Sequence, residues 1–134
     1  MRFFIVIFII FPSSLYAQKK LDNTIIVNTT KNIKEIKQTL FNCGFTIDGA
    51  DTSFFTTTIK EVNGASVMKL MIARNDTSVT IKGQAKILVE IMGVKNDFMT
   101  IEYRLAKSNL NYEWFREMDK FDKLLGDKIT YLKQ

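Results

Sequence analysis

The stretch Thr77–Met92, TSVTIKGQAKILVEIM, alternates with a period of two. Val79, Ile81, Gly83, Ala85, Ile87, Val89 and Ile91 fall on one face. Thr80, Lys82, Gln84, Lys86 and Glu90 fall on the other, interrupted by Leu88. Successive side chains of a strand point to opposite sides, so this pattern predicts a strand with one face on a core and one in water. Antiparallel sheets accept that one-sided exposure, whereas parallel sheets are covered on both faces. Strands usually run about 5–6 residues, so a bend is expected at Gly83, where the missing side chain allows one.

The flanking segments read the same way. SVMKLMIA (Ser66–Ala73) comes before it, across the turn Arg74–Asp76. FFTTTIKEV (Phe54–Val62) is a threonine-rich strand, joined onward by Asn63-Gly64-Ala65, a strong hairpin signal. FMTIEYRL (Phe98–Leu105) is expected to turn Met99, Ile101, Tyr103 and Leu105 inward. Phe45–Ile47 and Thr24–Asn28 (TIIVN) are shorter strands. Between Ile47 and Phe54 lies the turn DGADTS.

Two segments change period. Ile33, Ile36, Leu40 and Phe41 recur at helical spacing and predict an amphipathic helix over Asn32–Asn42. Asn32 followed by Glu35 fits a capping box, with Thr30 as a second candidate cap. Gly44 is placed to stop this helix in a left-handed turn. Leu110, Trp114, Met118, Phe121 and Leu125, with Phe115 and Leu124 beside them, form a second helical stripe starting within Ser108–Asn111. It ends at Gly126, or Ile129 and Leu132 carry it on. The order β-α-β-β-β-β-β-α predicts an α+β fold: an antiparallel sheet of about five to six strands with two helices on one face.

The segment Gly44–Lys60, GFTIDGADTSFFTTTIK, resembles a motif of small exported proteins with a TATA-binding-protein-like (TBP-like) or helix-grip architecture. In this segment and in element order the chain is similar to the repeat domain of a lipoprotein component of the outer-membrane β-barrel assembly machine. The likeness runs from Thr24 to about Leu125. It implies the same layered fold, an extracytoplasmic compartment and a binding or accessory role, and it carries no catalytic residue across. The lipid-bearing cysteine of that lipoprotein has no counterpart here, because Gln18 follows Ala17.

The chain opens with Met1-Arg2 and the apolar run FFIVIFIIF (Phe3–Phe11), then reaches Pro12 and Ala17 before the polar Gln18-Lys19-Lys20. A single charge, a short apolar run and a small residue predict a signal peptide over 1–17, cleaved after Ala17. A spanning helix needs about 20 apolar residues. The expected product, residues 18–134, is one domain without a membrane anchor, periplasmic or secreted. Its lone cysteine, Cys43, forms no internal disulfide. The formal net charge of the whole chain is +5. Beyond Arg2 the only arginines are Arg74, Arg104 and Arg116. Bidentate readout of bases or phosphates favours arginine, so nucleic acid is not the expected partner. A mildly cationic surface points instead to an acidic protein of the envelope.

The sequence holds no histidine, which removes the commonest general base and metal ligand. Asp48 and Asp51 fail as a calcium loop: counting from Asp48, Ala50, Ser53 and Ile59 stand where an oxygen ligand, glycine and glutamate are required. They read as an Asx-type turn. Cys43, beside Phe41 and Phe45, reads as a buried spectator. Ser66, Ser78 and Ser108 stand in no nucleophile elbow, and KGQAK has no phosphate-loop spacing. The methionines read as core filling, with Met68 and Met71 facing opposite ways. No catalytic residue, metal or cofactor is expected.

Two surfaces remain. The polar side of the sheet carries Lys69, Thr80, Lys82, Gln84, Lys86, Thr100, Glu102 and Arg104, and Lys69, Lys82, Lys86 and Arg104 make it a candidate partner face. On the inner side Gly83 and Ala85 either leave space or permit close helix–sheet packing. If they leave space, Ile81, Ile87, Tyr103 and Trp114 line a helix-grip-type cavity for a small apolar ligand. The expected function is a non-enzymatic binding or accessory module of the cell envelope, with a carrier of an apolar ligand as the alternative.

Overall fold

A computed structural model describes residues 21–48, 53–89, 93, 96–104 and 109–134. The expected signal peptide and the positions Asp51, Glu90, Ile91, Met92, Leu105 and Ser108 lie outside these residues. The elements are β1 (Thr24–Asn28), α1 (Ile33–Asn42), β2 (Ile47–Asp48), β3 (Phe54–Thr57), β4 (Lys60–Val62), β5 (Ser66–Arg74), β6 (Ser78–Ile87), β7 (Met99–Thr100), α2 (Leu110–Leu125) and β8 (Lys128–Leu132).

The fold is α+β. One antiparallel sheet runs in the order β2-β3-β5-β6-β1-β8, with β4 also on β5 and β7 also on β6. Its spine is the β5–β6 hairpin, in register from Ser66↔Ile87 to Arg74↔Val79. β1 inserts between β6 and β8, pairing Ile25 with Ile81 on one side and with Tyr131 on the other. The alternation read from Thr77 holds within β6, where Val79, Ile81 and Ala85 are buried with Met68, Leu70 and Ile72 of β5 and Ile25 and Val27 of β1. It fails past the strand end at Ile87, since Val89, expected on the core face, is 58% exposed. The same core takes Ile36 and Leu40 from α1, and Trp114, Phe115, Met118, Phe121 and Leu125 from α2. Both helices therefore cover one face of the sheet, and α2 lies across β6 and β1. Among the described residues no helix is long and apolar enough to cross a membrane.

Local signals set the helix ends. Asn32 accepts from the Glu35 backbone N–H (2.9 Å) while the Glu35 carboxylate accepts from the Asn32 N–H (2.7 Å), a complete capping box. At the other end Gly44 has φ +85°, and two bonds close a Schellman motif: Gly44 N–H to Phe41 O and Phe45 N–H to Leu40 O. Asn63 and Gly64 both take positive φ, as a tight hairpin turn requires. Lys60 then ties α1 to α2. Its ammonium donates to Cys43 O at 2.8 Å, pairs with Glu117 at 3.1 Å and lies 4.8 Å from the centre of the Phe45 ring. Burial alone would push the Glu117 carboxyl up, but hydrogen bonds from Lys120 and Lys60 outweigh it and hold it below its ordinary value.

Several expectations change. The segment Phe54–Val62 is broken at Thr58-Ile59 into β3 and β4. Asp48 belongs to strand β2, opposite Thr56, and not to the turn. β6 runs unbroken through Gly83. A Cβ there would sit 2.6 Å from Met118 Sδ and 2.7 Å from Ile101 Cδ1, so the glycine admits α2 and Ile101 against the strand instead of bending it. Phe41 and Leu124, placed on apolar stripes by spacing, are 64% and 56% exposed, because at about 100° per residue each falls on the flank of its helix, away from the buried stripes centred on Ile36 and Leu40 in α1 and on Met118 and Leu125 in α2. Met99 is also exposed, at the end of its strand, while Ile101 is fully buried.

The largest addition follows α2. The helix stops at Leu125, and Lys128–Leu132 forms β8 alongside β1; with Phe54–Val62 divided into β3 and β4, this brings the about five to six expected strands to eight. Gly126 makes this reversal possible. Its backbone is extended, and a Cβ would run into the Asn28 carbonyl oxygen. Thr29 Oγ1 donates to Leu125 O at 2.7 Å and takes up one carbonyl at the helix end. Gly126→Ala is expected to destabilise the domain by ~1–3 kcal/mol through overpacking. Urea denaturation checks this, and an unchanged midpoint would mean that β8 shifts aside freely.

Candidate functional site

The face of the sheet away from the helices is built by the other half of the alternation. Register places Met71 opposite Lys82 and Lys82 opposite Thr24, Lys69 opposite Gln84 and Gln84 opposite Thr100, and Val67 opposite Lys86. Phe98, just before β7, folds against this face. The Lys69 ammonium stands 4.3 Å from its ring centre and the Lys86 ammonium 5.5 Å. Two cations on neighbouring strands thus share one aromatic ring, a favourable cation–π arrangement that also concentrates positive charge. Among the described residues no carboxylate lies within ion-pair distance of Lys69, Lys82 or Lys86.

Arg104 stands apart from these lysines. It pairs with Glu102 at 2.9 Å, and its Nε is buried without a hydrogen-bond partner among the described residues. The structure therefore joins Lys69 and Lys86 through Phe98, with Lys82 on the same side of β6, while the Arg104 charge is already paired. Phe98 was not singled out by sequence, because its role depends on two lysines 29 and 12 positions away.

The residues expected around an internal cavity are mostly packed. Ile81 and Trp114 are fully buried, and Ile87 is partly buried. The space over Gly83 is filled by Met118 and Ile101. Trp114 Nε1 donates to Ser66 Oγ at 2.9 Å, and that hydroxyl donates to Val62 O. Tyr103 does line an opening, a cleft of about 90 Å³ shared with Tyr112, Phe115, Arg116 and Asp119.

Below that cleft is a group that the sequence did not single out. Asp119 accepts from Tyr131 Oη at 2.5 Å and pairs with Lys123 at 2.7 Å. Burial acts to raise its pKa, but hydrogen bonds from Lys123 and Tyr131 hold it below the ordinary aspartate range. Asp122, one turn on, is fully buried, and among the described residues no donor meets either carboxyl oxygen in good hydrogen-bond geometry. Burial first, and then the adjacent Asp119 charge, push it up to about 9. At neutral pH it is therefore a neutral acid, and its own proton can go to Asp119. The signal was present: Asp119 and Asp122 stand four residues after Phe115 and Met118, at core-facing positions of α2.

Chemically, the described residues offer cations and hydrogen bonds more than covalent reactivity. No set of three or more metal-ligating side chains converges among them. Burial raises the pKa of the Cys43 thiol, which suppresses the thiolate. The chain matches no protein-family model, no curated protein and no solved structure.

Proposed function

We propose that the protein is an exported, non-enzymatic binding or accessory module of the cell envelope that docks an acidic protein through its uncovered sheet face. The observation that carries this reading is the group Lys69, Lys82 and Lys86, which stands on the face away from both helices with no carboxylate within ion-pair distance among the described residues. Like charges held together favour a partner that brings the opposite sign, and such pairs speed encounter and set orientation more than they add affinity. The leader-like N-terminus and the resemblance to TBP-like and helix-grip domains support the compartment and the accessory role. The packing of Gly83 against Met118 and Ile101 favours this reading over an apolar-ligand carrier.

Replacing Lys82 and Lys86 by glutamate tests it. Both side chains lie on the open face, so melting is expected to change little. Binding of a polyglutamate peptide, measured by fluorescence anisotropy, is expected to weaken steeply with salt for the wild type and to disappear for the variant. Equal binding by both proteins would remove the face as the site. Intact mass of the exported protein, with Gln18 expected at the N-terminus, tests the compartment.

A further inference from the structure

We propose that the cleft beside α2, lined by Tyr103, Tyr112, Phe115, Arg116 and Asp119, binds a small betaine-type zwitterion, its methylated ammonium on the aromatic walls and its carboxylate on Arg116. The cleft holds about 90 Å³, roughly three waters at ~30 Å³ each, enough for one ammonium head with its methyl groups. Tyr103 meets the buried Phe115 edge to face, with centroids 5.3 Å apart and planes at 67°, so Phe115 forms the floor of the cleft and fixes the Tyr103 ring as one wall. Tyr112 supplies the third aromatic side chain. Ring faces attract a weakly hydrated cation within about 6 Å of the centroid, which favours a methylated ammonium over a strongly hydrated primary one.

Asp119 supplies the charge. It is nearly buried, and Tyr131 and Lys123 hold it ionised. The Lys123 side chain is itself 63% exposed on a flexible stem, so an entering cation can compete with it for Asp119. Arg116, in the same lining, is exposed and one turn before Lys120 on the helix. A bare cation would be repelled by Arg116, whereas a ligand that also carries a carboxylate satisfies it with a charge-assisted, two-pronged hydrogen bond. The cleft is independent of the sheet face, since none of its residues belongs to that lysine group.

The test uses the full exported chain and calorimetric titration with glycine betaine, choline and acetate as separate probes. Glycine betaine is expected to bind saturably, with choline and acetate at least about tenfold weaker. Arg116→Gln, at an exposed position, is expected to abolish the preference for betaine over choline. Tyr112→Ala is expected to weaken betaine by about tenfold or more. Lys123→Ala removes the internal competitor and is expected to tighten betaine. No saturable betaine binding by the folded wild type would overturn the proposal, as would betaine binding untouched by Arg116→Gln and Tyr112→Ala. Polyglutamate binding measured on the same variants is expected to stay at the wild-type level, which separates this cleft from the sheet face.

Discussion

Trp114→Ala is expected to lose ~3–5 kcal/mol of stability, close to the whole of a domain whose total is on the order of 5–15 kcal/mol. Trp114 is the largest fully buried side chain, on the helix that lies across β6 and β1, and its indole donates to Ser66 of β5. Truncation removes its contacts, leaves a cavity in a layer tight enough to exclude a Cβ at Gly83, and deprives Ser66 Oγ of its indole donor. Trp114→Phe keeps much of the apolar volume and loses the hydrogen bond, so its cost should be smaller, about 1 kcal/mol more than the lost area alone. Chemical denaturation of both variants, with near-ultraviolet dichroism to confirm native packing, measures the two effects. If Trp114→Ala melts within a few degrees of the wild type, α2 does not depend on this anchor.

Asp122→Asn is expected to stabilise the protein at neutral and alkaline pH. In the native fold burial and the Asp119 charge push the Asp122 carboxyl up to about 9, while in the unfolded chain it titrates near ~3.9. Between those values the folded state keeps a proton that the unfolded state has released, so stability falls as pH rises through the window. The slope is of the order of 1 kcal/mol per pH unit, and the cost is absent below the unfolded value. Asparagine cannot ionise and still offers Asp119 a donor. The stability difference between variant and wild type should therefore grow steadily from about pH 5 to about pH 8. Asp119 behaves oppositely: its lowered pKa contributes stability that is present above the ordinary aspartate value and lost in acid. A difference that does not change with pH would show that Asp122 is already charged in the native state.

Much of the architecture was written in short-range pattern. The period of two over Ser78–Ile87, the capping box of Asn32 and Glu35, the stop at Gly44, the Asn63-Gly64 turn and the stripe from Trp114 to Leu125 each depend on residues a few positions apart, and each is realised. Such signals report which side of an element is apolar and where the backbone must turn. They also suffice to separate the lysine side of β6 from the core side, and hence to group Lys69, Lys82 and Lys86.

What the sequence determined by itself was therefore the class of fold, both ends of α1 and the polarity of the β5 and β6 faces. Only the tertiary structure decided that Lys128–Leu132 is a strand. The spacing of Ile129 and Leu132 suits a helix, and the pairing that overrides it comes from Thr24–Asn28, more than a hundred positions earlier. The same holds for Phe98 between two lysines and for Arg104 committed to Glu102. Asp122 is the sharpest case. Its place on the inward side of α2 and its nearness to Asp119, one turn away on the same helix, are legible, but the depth of burial that first sets its protonation exists only once α2 lies on the sheet. Periodicity encodes direction, whereas pairing, depth and charge environment are properties of the assembled layers.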